Sequence, residues 1–403
     1  MLHICRLIHN GSCIFFHSIQ KMNSKLKSAL IHSSLFLITL VTTTIAGAEW
    51  SFGKSIFMLG YSWSDFASGL PYAISFLFIL TAHEFGHYFT AIYNGVKTTL
   101  PYYIPVPPII PFNIGTFGAL IRLKGIVRSK QQHFDIGIAG PLTGFIASML
   151  VLVFAYTHLP AAEYIYQFHP EYEKYGSAYA DFVYMPEHIQ PNTVDVVVGK
   201  NLMLILLEKL APNQSLVPNA HEIMHYPLIF AGFLSLVFTS INLLPIGQLD
   251  GGHVLYGLLG PKKHQLVATG IFISFLFFAG LGFITPRTPA TQLMYEIPLF
   301  ILFNYLCLTG IRLSKINTLT AAVAIFAVQY SLSTFFPSMQ GYSGWLLFVL
   351  IIGRFVGITH PPSEIEEPLT YGRKVLGWIA LLIFLLCFTP NPLEIIVPAA
   401  ITP

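Results

Sequence analysis

Apolar residues along this chain fall into long blocks, at about 29–48, 67–94, 133–158, 227–259, 266–285, 296–313, 319–337, 343–359 and 375–390, parted by short polar turns. A helix that crosses a bilayer takes roughly 20 such residues, so the blocks predict about 8 or 9 membrane spans. The last blocks are short, and one of them carries Arg354. Two stretches break the pattern. PYYIPVPPIIPF holds Pro101, Pro105, Pro107, Pro108 and Pro111, too many prolines for a regular helix. It is charge-free, so it is expected to dip into the bilayer or lie on it. It leads into GTFGALIRLKG (Gly115–Gly125), which reads as a strand. The other stretch, 159–226, is polar and rich in tyrosine, with one apolar run from Val194 to Ala211 that is too charged to cross and reads as an amphipathic surface helix. The predicted fold class is an all-α polytopic membrane protein with a small membrane-associated β element after the second helix.

Composition sharpens this reading. The chain is 54% hydrophobic and 10% charged, with a mean hydropathy of +0.65. A soluble globular domain carries about 25% charge, so the bilayer must be this chain's solvent. The net charge of +3 gives no reason to expect nucleic acid. Cys5, Cys13, Cys307 and Cys387 form no C-x-x-C pair, which predicts neither a disulfide framework nor a thiolate metal site. Lysine and arginine in short loops set orientation. Lys21, Lys25 and Lys27 precede the first span, and Lys97, Arg122, Lys124, Arg128 and Lys130 follow the second. Threading in alternation puts both groups, with Lys262, Lys263, Arg312, Lys315, Arg373 and Lys374, in the cytoplasm. Loop 159–226 falls outside, with eight Asp/Glu against three Lys. Met22 reads as a natural start, with residues 1–21 a mis-set start or an extension. The lack of a long Ser- and Arg-rich leader points to a bacterial plasma membrane.

Candidate chemistry centres on H-E-x-x-H, the spacing that sets two histidines and a glutamate on zinc. It occurs twice, in TAHEFGHYF (Thr81–Phe89) and in NAHEIMHYP (Asn219–Pro227). The first copy lies in a helix bounded by Pro71 and by Asn94–Gly95. His83 and His87 are four residues apart and share a face. Ionisable residues inside a membrane helix are costly and functional by default, and a metal gives His83, Glu84 and His87 a reason to be there. In the second copy, Pro227 falls two residues after His225 and breaks the turn that would hold both histidines. That copy reads as a polar loop matching a loose pattern by chance.

A catalytic zinc takes three protein ligands and keeps one position for water. The third ligand should come from another span at the same depth, and TSINLLPIGQLDGGHV (Thr239–Val254) supplies Asp250 inside the fourth apolar block. Pro245 and Gly247 should unwind the helix there, which is tolerated only where backbone lines a cavity. Gly251 and Gly252 let the chain come close to a ligand.

H-E-x-x-H in a membrane helix, with N-x-x-P and L-D-G far downstream, resembles the site-2 protease family of intramembrane zinc metalloproteases. The residues are His83-Glu84-Phe85-Gly86-His87 and Asn242 through Pro245 to Leu249-Asp250-Gly251-Gly252, with GIAGPLTGF (Gly137–Phe145) similar to the family's glycine-proline element. The resemblance covers about residues 67–260. Loop 159–226 is too short for the PDZ module of many members, so the chain looks more like the PDZ-less group of chloroplasts and photosynthetic bacteria. The expected organisation is an N-terminal extension (1–28), a first span with its outer loop (29–66), the metalloprotease core (67–260) and additional C-terminal membrane helices (261–403).

The resemblance implies peptide-bond hydrolysis in or near the transmembrane helix of a membrane protein substrate. Zinc on His83, His87 and Asp250 would bring the pKa of a water towards ~7. Glu84 points off the ligand face, has no Lys or Arg within four residues, and is the candidate general base. Asn242 matches the family asparagine that holds substrate backbone, but a plain helix–helix hydrogen bond is an equal reading. Gly115, Thr116, Phe117 and Gly118 are the candidate substrate-binding strand, whose exposed edge can add a substrate strand; a re-entrant turn packing the site is the alternative. His253 is a candidate support behind the zinc ligands, or simply a polar residue at a helix start. Gly137, Gly140 and Gly144 predict close helix packing. Loop 159–226 is either a cap over the protease or an ordinary surface loop. Two competing functions stand beside the protease: a non-proteolytic protease-like protein or metal carrier, against which Glu84 argues, and a different zinc protease using Glu296, which lies too near the outer end of its span.

Overall fold

The computed structural model describes residues 24–110, 113–185, 188 and 195–396. Residues 1–23, Pro111 and Val194, on which parts of the sequence reading rest, lie outside that set. The described residues begin with α1 (Ser24–Phe52), a short α2 (Trp63–Ser68) capped by Ser62, and α3 (Leu70–Tyr93), which carries Pro71 in its first turn as the sequence predicts. The proline-rich stretch becomes β1 (Tyr102–Pro105), paired antiparallel with β2 (Thr116–Leu120). This two-stranded sheet is the expected β element. Next comes α4 (Lys130–Thr157), entered through a Ser129/Gln132 capping box.

The outer loop runs through 3₁₀ turns at Ala162–Gln167 and Pro170–Ala178 to α5 (Ala180–Val183), β3 (Asp195–Val198) and α6 (Leu202–Leu210). The amphipathic helix expected over Val194–Ala211 is therefore a strand followed by nine helical residues. The strand forms because β3 pairs with a distant partner, β4 (Leu393–Ile396), which no local pattern reveals.

After the loop come α7 (Pro227–Asn242), α8 (Asp250–Gly280), α9 (Ala290–Leu308), α10 (Lys315–Phe335), α11 (Leu346–Ile351), extended by a π-helical turn at Ile352–Val356, and α12 (Tyr371–Cys387). Among the described residues five helices are long and apolar enough to cross a membrane: α1, α4, α8, α9 and α10. The expected 8 or 9 spans become five plus shorter apolar helices. Helix α3 is 24 residues long, but His83, Glu84 and His87 lower its hydropathy; α7 has only 16 residues.

The fourth and fifth apolar blocks are divided differently from the sequence reading. Helix α7 stops at Asn242, and Asp250 opens α8 rather than lying inside the fourth span. Pro245 lacks an amide hydrogen, and Gly247 takes a left-handed φ of 59°, so the backbone must turn between them. Helix α8 then absorbs residues 250–280 in one element, kinked at Gly260–Pro261. Gly251 and Gly252 are ordinary helical residues; a Cβ on either would strike the carbonyls of Leu243 or of Ile246 and Gly247. Their smallness lets the first turn of α8 pack onto the loop that precedes it. The core is built from α4, α7, α8 and the packed faces of α3 and α12, with Phe134, Leu152, Phe230, Phe233 and Phe272 fully enclosed.

Candidate metal centre

Helix α3 and the first residue of α8 bring three ligand-type side chains together. His83 and His87 face the same side one turn apart, both buried, with their Nε2 atoms 3.1 Å from each other. Asp250 Oδ2 lies 3.5 Å from His83 Nε2 and 3.3 Å from His87 Nε2. Ligand atoms around a tetrahedral zinc, with bonds of roughly 2.0–2.1 Å, stand about 3.3–3.4 Å apart. The three atoms therefore match a zinc's requirement within a few tenths of an ångström, and two nitrogens with a carboxylate are a donor set zinc accepts. His87 Nδ1 donates to the Ile136 carbonyl at 2.7 Å, which fixes the tautomer and leaves Nε2 facing the centre.

The glycine stripe of α4 is part of this site. A Cβ on Gly140 would land on the His87 ring, one on Gly144 would come 3.1 Å from His83, and one on Gly137 would come 2.6 Å from His253. The spacing read as close packing is, at Gly140 and Gly144, packing against His87 and His83, the candidate ligands. Gly140→Ala is accordingly expected to displace the His87 ring and weaken zinc binding by about tenfold or more, the scale of losing an outer-shell partner. Zinc per chain in the purified variant is the measurement; a wild-type value would show that the ring has room to swing.

Glu84 is buried next to the histidines and lines a cavity of about 120 Å³ with His83, Phe117, Gly118 and Asn242. Asn242, the last residue of α7, places Nδ2 3.5 Å from His83 Nε2. Of the predicted strand residues, Phe117 and Gly118 reach the cavity. Gly115 and Thr116 are engaged elsewhere: the Gly115 carbonyl accepts from Thr42 at 2.7 Å, and the Thr116 hydroxyl donates to the Ile104 carbonyl at 2.8 Å. His253 stacks on His133, and its Nδ1 lies 2.8 Å from His360 Nε2, so it joins α8 to the loop after the π-helical turn. Glu296 sits in the first half of α9 and belongs to none of the clusters of metal-ligand type found among the described residues.

Sequence reasoning missed Thr143 and Ile136. The Thr143 hydroxyl donates to the Ala82 carbonyl at 3.0 Å and ties α4 to the turn that carries His83. Ile136 acts through its backbone, which leaves no side-chain signal to find. Beyond the triad, the described residues hold two other clusters of metal-ligand type: His133/His253/His360 and His169/Glu222/His225. The second contains part of the other H-E-x-x-H, whose two histidines lie in a turn and a 3₁₀ segment before α7.

The sequence profile described as Peptidase family M50 matches residues 71–281, which run from α3 to α8 and include all three ligand-type residues. The chain is similar to the probable zinc metalloprotease EGY1, chloroplastic, of Arabidopsis thaliana, 31% identical over 204 residues, which are 51% of this chain and 32% of that protein. It is similar to the probable zinc metalloprotease EGY2, chloroplastic, of the same plant, 27% identical over 213 residues, 53% of this chain and 33% of that protein. The DDT domain-containing protein PTM of Arabidopsis thaliana is 30% identical over 158 residues, 39% of this chain and 8% of that protein. The match thus spans about a third of the length of the two metalloproteases. No solved structure gives a significant match.

Proposed function

The chain belongs to peptidase family M50, and from that membership we propose that it is a zinc metalloendopeptidase cutting peptide bonds in or near transmembrane segments of other membrane proteins. The observation that carries the reading is the convergence of His83, His87 and Asp250 on one point, with His83 and Glu84 also lining the neighbouring cavity. The two histidines and Asp250 would hold the zinc. When bound, zinc supplies a Lewis acid that acidifies water and polarises a peptide carbonyl.

Glu84 takes the proton of the attacking water and delivers it to the leaving amine. Its carboxylate is not needed as a ligand, since those positions belong to other side chains. Asn242 stands at the cavity wall, where its amide can hold substrate backbone. A helical substrate hides its peptide bonds, so it must be unwound. Among the described residues strand β2 pairs with β1 on one edge only, and Phe117 and Gly118 line the same cavity as Glu84. An extended substrate segment added along the free edge of β2 would present its carbonyls to the site. The apolar helices make this a membrane protein. The chloroplastic relatives weigh against the bacterial plasma membrane suggested by the sequence. We place the site towards the side bearing Lys97, Arg122 and Lys124, the cytoplasmic or equivalent face.

A reporter with one transmembrane segment, reconstituted with the purified chain in liposomes, is expected to be cut within that segment. Cleavage should stop when a chelator removes zinc and return on adding zinc back. Persistence of cutting in the stripped protein would refute the metalloprotease reading.

A further inference from the structure

The second H-E-x-x-H supplies two of three side chains that converge outside the membrane-spanning helices. Glu222 is 1% exposed, and its Oε2 has no hydrogen-bond partner. Its other oxygen accepts from the Tyr184 hydroxyl. His169 Nε2 and His225 Nε2 each stand 3.7 Å from Glu222 Oε2. That is too long for a hydrogen bond, so three polar atoms face one another without touching. It is close to the separation of about 3.4 Å that two ligands adopt around a tetrahedral zinc.

Both rings are held in place. His225 Nδ1 donates to the Ser51 carbonyl at 2.8 Å, leaving Nε2 with its lone pair towards Glu222. The ring stacks on Phe168, and His169 stacks on Tyr172. His169 Nδ1 lies 3.6 Å from the Glu171 carboxylate, beyond hydrogen-bond distance, so the stacking on Tyr172 is what holds that ring. His221, the motif's first histidine, turns away to Asp195 at 2.7 Å.

We propose that His169, Glu222 and His225 form a second metal site, outside the membrane-spanning helices, that binds a divalent transition-metal cation such as zinc. Two imidazoles and one carboxylate are a borderline-soft donor set that suits zinc better than calcium or magnesium. The site differs from the first in kind. The motif glutamate is itself a ligand here, so no general base remains, and the role is structural. The cation ties together three segments: the 3₁₀ region at 162–178, the turn before α7, and the end of α1 through Ser51. It is a clamp that fastens the outer loop to the helices beneath it.

The test uses the full chain, purified in detergent, stripped of metal and titrated with Zn2+ alone. Working in the Asp250→Asn background silences the first site, so the two sites are read separately. One zinc per chain is expected to remain there. It should be lost, from one to none, on adding His225→Ala or Glu222→Gln, and kept on adding His221→Ala. Zinc that survives both His225→Ala and Glu222→Gln, or an Asp250→Asn chain that binds none, overturns the proposal. If Asp250→Asn does not purify as a folded protein, the count in the otherwise unaltered chain should fall from two to one on Glu222→Gln or on His169→Ala, a half-buried position; no fall overturns it equally. Substitution with Co2+ adds an absorption signature of nitrogen and oxygen ligation that a nonspecifically adsorbed ion would lack.

Discussion

Glu84→Gln should leave zinc bound and cut peptide cleavage by a factor of about 10²–10⁴, the usual contribution of a positioned general base. In free energy that is roughly 3–5 kcal/mol of transition-state stabilisation. Glutamine has the same shape and fills the same buried space beside His83, so packing and metal content should hardly change. It cannot accept the proton of the attacking water. Loss of cleavage with zinc intact separates the chemistry from metal retention, which no ligand variant can do. A variant that cleaves within a few-fold of wild type would remove Glu84 from the mechanism. A wild-type chain that binds zinc but cuts nothing, with Glu84→Gln unchanged from it, would favour the protease-like or metal-carrier reading.

Asp250→Asn should remove one zinc per chain, because the change strips the only carboxylate from a candidate site otherwise made of two imidazoles. The Asp250 carboxylate oxygen bridges the two histidine nitrogens at 3.5 and 3.3 Å. Asparagine preserves size and removes charge. The loss of affinity should exceed the 10–100-fold typical of disturbing an outer-shell partner. Cleavage should disappear with the metal. Zinc content equal to wild type would mean that the histidines find a third ligand elsewhere; Asn242, with Nδ2 3.5 Å from His83 Nε2, is a side chain to examine next.

The glycines show where reading a sequence stops. Their spacing on α4 announces that something packs closely there, but not that the partners are His83, His87 and His253. The same holds for Asp250. Its rarity as an acid within an apolar block singles it out as a candidate ligand, whereas its place at the start of a new helix depends on Pro245, Gly247 and the contact of Gly247 with the Ile358 carbonyl, 2.9 Å away and more than a hundred residues on. Strand β3 was misread as helix for the same reason, since its partner β4 lies near the other end of the chain.

The second H-E-x-x-H is the sharpest contrast. Pro227 correctly excludes a regular helix over His221–His225, and from that the sequence suggests a loop without metal. Folding then brings His169 from fifty residues upstream to face Glu222 and His225. By itself the sequence pointed to the membrane as solvent, to the β element after α3, and to His83, Glu84, His87 and Asp250 as the candidate site residues. Each of those is a local signal: hydropathy over a span's length, prolines that forbid helix, ionisable groups where apolar ones are needed. Only the tertiary structure decided how the apolar blocks divide into helices, which glycines cradle His83 and His87, and which histidines meet Glu222. Those depend on contacts between residues far apart in the chain, and no local pattern of hydrophobic and polar positions encodes them.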